Sequence, residues 1–140
     1  MAGTNTSGLM DGKAFRESLR KYKPTVYVDG QAITSVADAP SLQPGINALA
    51  VTYDFAHDPA LAPLMLAQQT ASGKTVNRML HIDESAGDLL NKLEAVRVLC
   101  QETGCAQRYR GGDALNATHQ GTLRLDADTG SSYHPRLLAY

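Results

Sequence analysis

The chain has 140 residues, of which 43% are hydrophobic and 19% charged, with a formal net charge of −1 and two cysteines. That length supports one domain whose core needs no staples, and two thiols are too few for a disulfide framework. Near-neutral charge without a basic run excludes the footprint of a nucleic-acid binder, and no apolar run approaches the length of a membrane span.

The opening MAGTNTSGLM lacks the basic and apolar regions of a secretory signal, so residues 1–10 read as a flexible polar tail and a reducing cytoplasm is the expected compartment. Asp11 can cap a short helix with Phe15 and Leu19 on one face, which Pro24 ends. In TVYVDGQAIT, Val26 and Val28 alternate with Tyr27 ahead of Asp29-Gly30, the signature of a hairpin on a type I′ turn. DAPSLQPG, residues 38–45, is a loop. From Ile46 the apolar residues Leu49, Ala50, Tyr53 and Ala56 step at helical spacing to a stop near His57. Asp58 with Pro59 can open another short helix. ASGKTVNRMLHI, residues 71–82, reads as extended. Ser85 and Asp88 form a start signal, and Leu89, Leu90, Leu93, Val96, Val98, Leu99 and Cys100 make the strongest amphipathic pattern, stopped by Gly104; a helix over 86–103 follows. Asp113 can cap a further helix through Leu115 and Thr118, weakened by Gly121. DADTGSSYHP is a loop, and Pro135 can open a last helix. The sum is mainly α with one small β-hairpin.

The chemistry-bearing residues gather in GCAQRYRGGDALNA, residues 104–117. Cys105 can be a metal ligand, a nucleophile or packing, and Cys100-x4-Cys105 is not a strong metal spacing. Arg108 and Arg110 flank Tyr109, and an arginine beside paired glycines has room to meet a phenolate, carboxylate or peroxide oxygen; the alternative is a solvated loop arginine. SGKT at 72–75 lacks the upstream glycine of a P-loop, Gln68 standing in its place. His57, His81, His119 and His134 are scattered and read as surface or packing residues, and Tyr27, Tyr53 and Phe55 as core.

Five segments in one order, SLRKYKPTVYVDGQAI, VTYDFAHDP, TASGKTVNRMLHI, QETGCAQRYRGGDALNA and SSYHP, resemble the amino-terminal region of the 4-hydroxyphenylacetate 3-monooxygenase and 4-hydroxybutyryl-CoA dehydratase family. SLRK, GKTVNR and SSYH lean towards the dehydratases. The resemblance implies an acyl-CoA dehydrogenase-like amino-terminal helical domain over residues 11–140, with FAD bound mostly outside this chain. It also implies a companion chain carrying a β-domain and a carboxy-terminal helical bundle, and a tetrameric complete enzyme. By the same resemblance Arg110 falls on a catalytic position of the monooxygenases, where it would hold an oxygen of the flavin hydroperoxide and the phenol. The family's tyrosine partner falls on Ala114. In the dehydratases two cysteines of this segment bind a four-iron cluster; Cys105 matches the first and Tyr109 the second. A phenol is a poor substitute for a thiolate there, so no metal site is expected. The expectation is therefore part of a flavin-dependent aromatic monooxygenase, served by a flavin reductase and acting on a small-molecule substrate. The alternatives are a dehydratase or isomerase acting on a CoA thioester, and a non-catalytic assembly or binding module.

Overall fold

The computed structural model describes residues 8–70, 72–104 and 107–139, and for 107–110 only the course of the backbone. Helix α1 spans Gly12–Lys21, and the Asp11 carboxylate accepts from the Ala14 N–H at 2.6 Å. Its backbone turns extended at Tyr22, ahead of Pro24. Phe15 is buried against helix α2, Gln43–Asp54, where its ring stacks on Tyr53 at 4.9 Å between centroids. The two helices are also tied where α1 begins, by the Gly12 N–H donating to Asp54 at 2.8 Å.

Strands β1, Val26–Val28, and β2, Gln31–Ile33, pair antiparallel around Asp29 and Gly30, both at positive φ as a type I′ turn demands. Tyr27 is not a core residue as expected: it is 66% exposed. The alternating pattern fixes which residues share a face, and here no element covers the face that Tyr27 occupies. The expected loop over 38–45 is shorter, because a 3-10 turn at Pro40–Leu42 leads straight into α2 with Pro44 in its first turn, where a missing N–H costs little.

Asp58 organises a turn, accepting from Ala60 at 2.7 Å, but the four-residue helix α3 starts later, at Ala62–Met65. The extended reading of 71–82 is refined by tertiary pairing. Strand β3, Leu66–Gln68, pairs antiparallel with β4, Thr75–Asn77, adding a second two-stranded sheet to the expected hairpin. A 3-10 turn at Arg78–Leu80 follows.

Helix α4 runs Ala86–Thr103 between a Ser85 cap, which accepts from the Asp88 N–H at 3.1 Å, and Gly104 at φ 66°. Only a residue without a Cβ adopts that left-handed cap at no cost. Helix α5 spans Gln107–Thr129 and α6 Tyr133–Ala139. The main core gathers Ala56, Met65, Leu66, Met79, Ala95 and Leu99 between α3, β3 and α4. Each large side chain buried there contributes about 1.5–3 kcal/mol.

Two expectations fail in this half. Asp113 caps no helix; with Gly111 and Gly112 it lies inside α5. Glycine costs about 1 kcal/mol in a helix interior relative to alanine, and packing offsets part of it: Gly112 is buried where a Cβ would stand 3.4 Å from the Met79 carbonyl oxygen. On α4, Leu89, Leu90 and Leu93 are exposed, whereas Lys92, Ala95 and Leu99 face the core.

Candidate functional site

The candidate segment lies where α4 ends and α5 begins. The Gly104 N–H donates to the Cys100 carbonyl at 2.8 Å, closing α4. Cys105 lies outside the described residues, as do the side chains of Arg108, Tyr109 and Arg110. The backbone at 110 is helical, one turn into α5. Cys100 is a free, half-buried thiol on α4. Cys100 thus lies in the last turn of α4 and the backbone at 110 in the first turn of α5. The structure leaves His57 exposed and remote in sequence, and gathers His119 and His134 on α5 and α6, with ring centroids 4.6 Å apart.

Behind this corner stands a group of charged residues that periodicity did not reveal. Lys92 is 2% exposed, forms an ion pair with Asp83 at 2.7 Å and donates to the His81 carbonyl at 2.9 Å. Arg78, also buried, donates through Nε to the Leu64 carbonyl at 2.6 Å and through Nη2 to the Leu66 carbonyl. The guanidinium therefore clamps the junction of α3 and β3, and its rigid donor fork suits two carbonyls better than an ammonium would. Asp88 Oδ1 stands 3.6 Å from Arg78 Nη1 and 3.7 Å from Nε2 of the buried His81, charge contacts rather than hydrogen bonds.

The electrostatics follow from this packing. Burial pulls the Arg78 guanidinium below its ordinary range, opposed by Asp88 and Asp83. The Ser85 hydroxyl holds the Asp88 carboxyl below the usual carboxylate range, against its partial burial and with help from the Glu84 N–H and from His81 and Arg78.

This group positions the candidate corner. The Asp83 N–H donates to the Asn116 side chain at 2.8 Å, and the Asn116 amide donates back to the Gly112 carbonyl at 2.9 Å. The first half of α5 is thereby fastened to the segment 79–83, which Lys92 fastens to α4. Asn77 extends the brace, its amide donating to the Thr52 carbonyl of α2 at 2.7 Å and its carbonyl oxygen accepting from the Met79 N–H at 3.0 Å. The elements on both sides of 105–110 are thus held by polar contacts, buried at Lys92 and Asn77 and part-buried at Asn116. The signal in the sequence was the recurrence of charged residues every four or five positions, Arg78, Asp83, Asp88 and Lys92, through a stretch that also carries Met79, Leu80, Ile82, Leu89 and Leu90.

A pocket of about 200 Å³ opens between the amino-terminal segment and the β3–β4 pair, lined by Leu9, Met10, Tyr53, Val76 and Leu80 among others. It is smaller than the roughly 300–1,000 Å³ of pockets that hold drug-sized ligands, and no cationic side chain lines it. It does not fit a flavin dinucleotide. Among the described residues no group of three or more His, Cys, Asp or Glu can hold a metal, and no helix is long and apolar enough to cross a membrane.

Helices in this order, with the strands among the described residues confined to two short antiparallel pairs, define an acyl-CoA dehydrogenase-like amino-terminal helical domain. The chain belongs to the family described as 4-hydroxyphenylacetate 3-hydroxylase N terminal, whose model matches residues 11–140. It is 39% identical over 133 residues to the 4-hydroxybutyryl-CoA dehydratase/vinylacetyl-CoA-Δ-isomerase of Clostridium aminobutyricum, covering 94% of this chain and 27% of that protein. The structure of an oxygen-tolerant archaeal 4-hydroxybutyryl-CoA dehydratase from N. maritimus is similar with a TM-score of 0.87 and 40% identity, over 94% of this chain and 26% of that one. The oxygenase component of 4-hydroxyphenylacetate 3-monooxygenase, solved with FAD, shares the fold at a TM-score of 0.57 and 19% identity, over 66% of this chain and 19% of that one. The chain thus spans about a quarter of the length of the dehydratases it matches.

Proposed function

We propose that this chain is the amino-terminal part of a flavin-dependent enzyme of the dehydratase branch, acting on a hydroxyacyl-CoA thioester. The observation that carries the reading is its 39% and 40% identity, across nearly the whole chain, to two 4-hydroxybutyryl-CoA dehydratases. This reverses the order of the two activities expected from the motifs, because the likeness to the monooxygenase rests on 19% identity. The pocket beside the amino-terminal segment is too small for FAD, and the family resemblance assigns most of the flavin site to polypeptide beyond this quarter of the family length, on a companion chain or a continuation of this one. The chain's own residues do not fit a dehydratase-type iron–sulfur cluster: Tyr109 stands at the second cysteine position, and Cys105 supplies one donor at most. No step is therefore drawn through a cluster. Arg110 is the residue assigned to meet developing negative charge on a substrate or flavin oxygen, since a fixed cation in a water-poor site stabilises such charge strongly.

Tyr109 and Arg110 together favour one competing reading, an aromatic monooxygenase in which a separate reductase supplies reduced FAD and the substrate is a phenol. Purification of the native assembly under mild conditions separates the two. A bound flavin and conversion of 4-hydroxybutyryl-CoA to a thioester lighter by one water support the dehydratase reading. Reductase-dependent hydroxylation of a phenol, lost in Arg110→Ala, overturns it in favour of the monooxygenase. An assembly with neither flavin nor activity leaves a non-catalytic module.

A further inference from the structure

No residue from Asp113 to Ala139 is buried, although nearly all of this stretch is helical. The first turns of α5 rest on the domain through Gly112 and Asn116. Beyond them, residues 117–129 extend for about 20 Å at 1.5 Å per residue. Gly112, Asn116, His119 and Leu123 lie at spacings of four, three and four, so they form one face of the helix. The docked face of α5 therefore continues past the edge of the domain, where Leu123 is 48% exposed.

Helix α6 meets that face at His119, whose ring stands edge-on to His134 with centroids 4.6 Å apart, and leaves Leu123 largely open. Its attachment to α5 is largely polar: Asp126 accepts from the Ser131 hydroxyl at 2.7 Å and from the N–H groups of Tyr133 and His134 at 2.9 and 2.8 Å, and Thr122 meets His134 at 3.0 Å. Tyr133 and Leu138 remain 50% and 66% exposed. A helical pair fastened by polar caps, with Leu123, Leu125, Tyr133 and Leu138 exposed, is stabilised by an external surface, because helices in proteins draw most of their stability from burying an apolar face.

The archaeal dehydratase supplies the occupant. It matches 94% of this chain, a share that must include most of the α5–α6 arm, at a TM-score of 0.87, and this chain accounts for only 26% of its length. The arm therefore holds the shape it has in a protein of which nearly three-quarters lies outside the match. We propose that the α5–α6 arm is the docking surface for the polypeptide equivalent to that remainder, engaged through Leu123, Tyr133 and Leu138. The assignment rests on the reading that this chain works as one part of a larger family enzyme.

The test uses the full chain, tagged and purified with its native assembly. Its carriers are the paired variant Leu123→Glu/Leu138→Glu and a control, Tyr27→Glu, on the exposed hairpin. The expected result is that the parent and the control retain a companion whose sequence matches the family beyond the first quarter. The paired variant keeps its helical circular dichroism and binds that companion at least tenfold more weakly. Hydrogen exchange on the parent gives a readout independent of the variants: amides of 117–139 are slower to exchange in the assembly than in the chain alone. Retention of the companion by the paired variant at parental affinity, or an arm equally fast to exchange in both states, overturns the docking assignment while the family reading stands. Self-association of the parent through the arm, with no companion, overturns the occupant and the proposed function together.

Discussion

Replacing Lys92 by methionine removes a charge from the interior while keeping most of the side chain's apolar length. The ammonium is 2% exposed and lies 2.7 Å from the Asp83 carboxylate, which is 18% exposed, and it also satisfies the His81 carbonyl. Its removal leaves a carboxylate and a carbonyl without their donor. Breaking a buried pair from one side costs about 3–5 kcal/mol. Water reaching the partly exposed Asp83 places this case near the lower end, at about 3 kcal/mol. With a urea dependence of about 2 kcal/mol per molar for a small domain, the unfolding midpoint falls by roughly 1.5 M. Lys92→Met combined with Asp83→Asn removes the orphaned charge as well and recovers about half of the loss, so the coupling exceeds about 1.5 kcal/mol by whatever Asp83→Asn costs alone. Equilibrium urea unfolding of the parent, both single variants and the double variant measures all of this. A Lys92→Met midpoint within about 0.3 M of the parent at that same slope, or strictly additive variants, would refute the argument that this pair braces the segment 79–83 against α4.

Gly104→Ala, at the left-handed cap of α4, is expected to cost about 1 kcal/mol through backbone strain alone, read as a lower thermal midpoint with unchanged helix content. Met65→Ala empties a side chain with no exposed surface in the main core and should cost about 3 kcal/mol in the same urea assay; a loss under about 1 kcal/mol would show that the core can collapse around the gap. Asp88 is held below the usual carboxylate range when folded, so its contribution is complete above the unfolded value near pH 4 and is lost as pH falls through the lower folded value. Stability is therefore expected to decline on the acid side below about pH 4, and Asp88→Asn to flatten part of that decline. Parallel acid limbs in parent and variant would count against this role for Asp88.

Much of the architecture follows from local chemistry and so was open to reading along the chain. Asp11 caps α1, Asp29-Gly30 turns the hairpin, and Ser85 and Gly104 bound α4, as expected. Each of these is decided within four residues, by one side-chain acceptor or by a positive φ. The family, too, is written in the order of short segments, and the match over residues 11–140 bears it out. The candidate site was legible only as a cluster of residue types around 105–110, and its assignment to Arg110 stands as a proposal.

What the chain order could not decide was which neighbour each face would meet. The leucines of α4 make the stronger apolar stripe, yet Lys92 is the residue that goes inside, because the Asp83 carboxylate pairs with its charge there and the His81 carbonyl accepts one of its protons. Asp113 reads locally as a cap, but α5 runs through it from Gln107, with Gly112 buried against the Met79 carbonyl. Strand β3 had no pattern of its own and exists because β4 pairs with it. Periodicity states that a face is apolar or polar; only the packing of distant segments settles whether that face is buried.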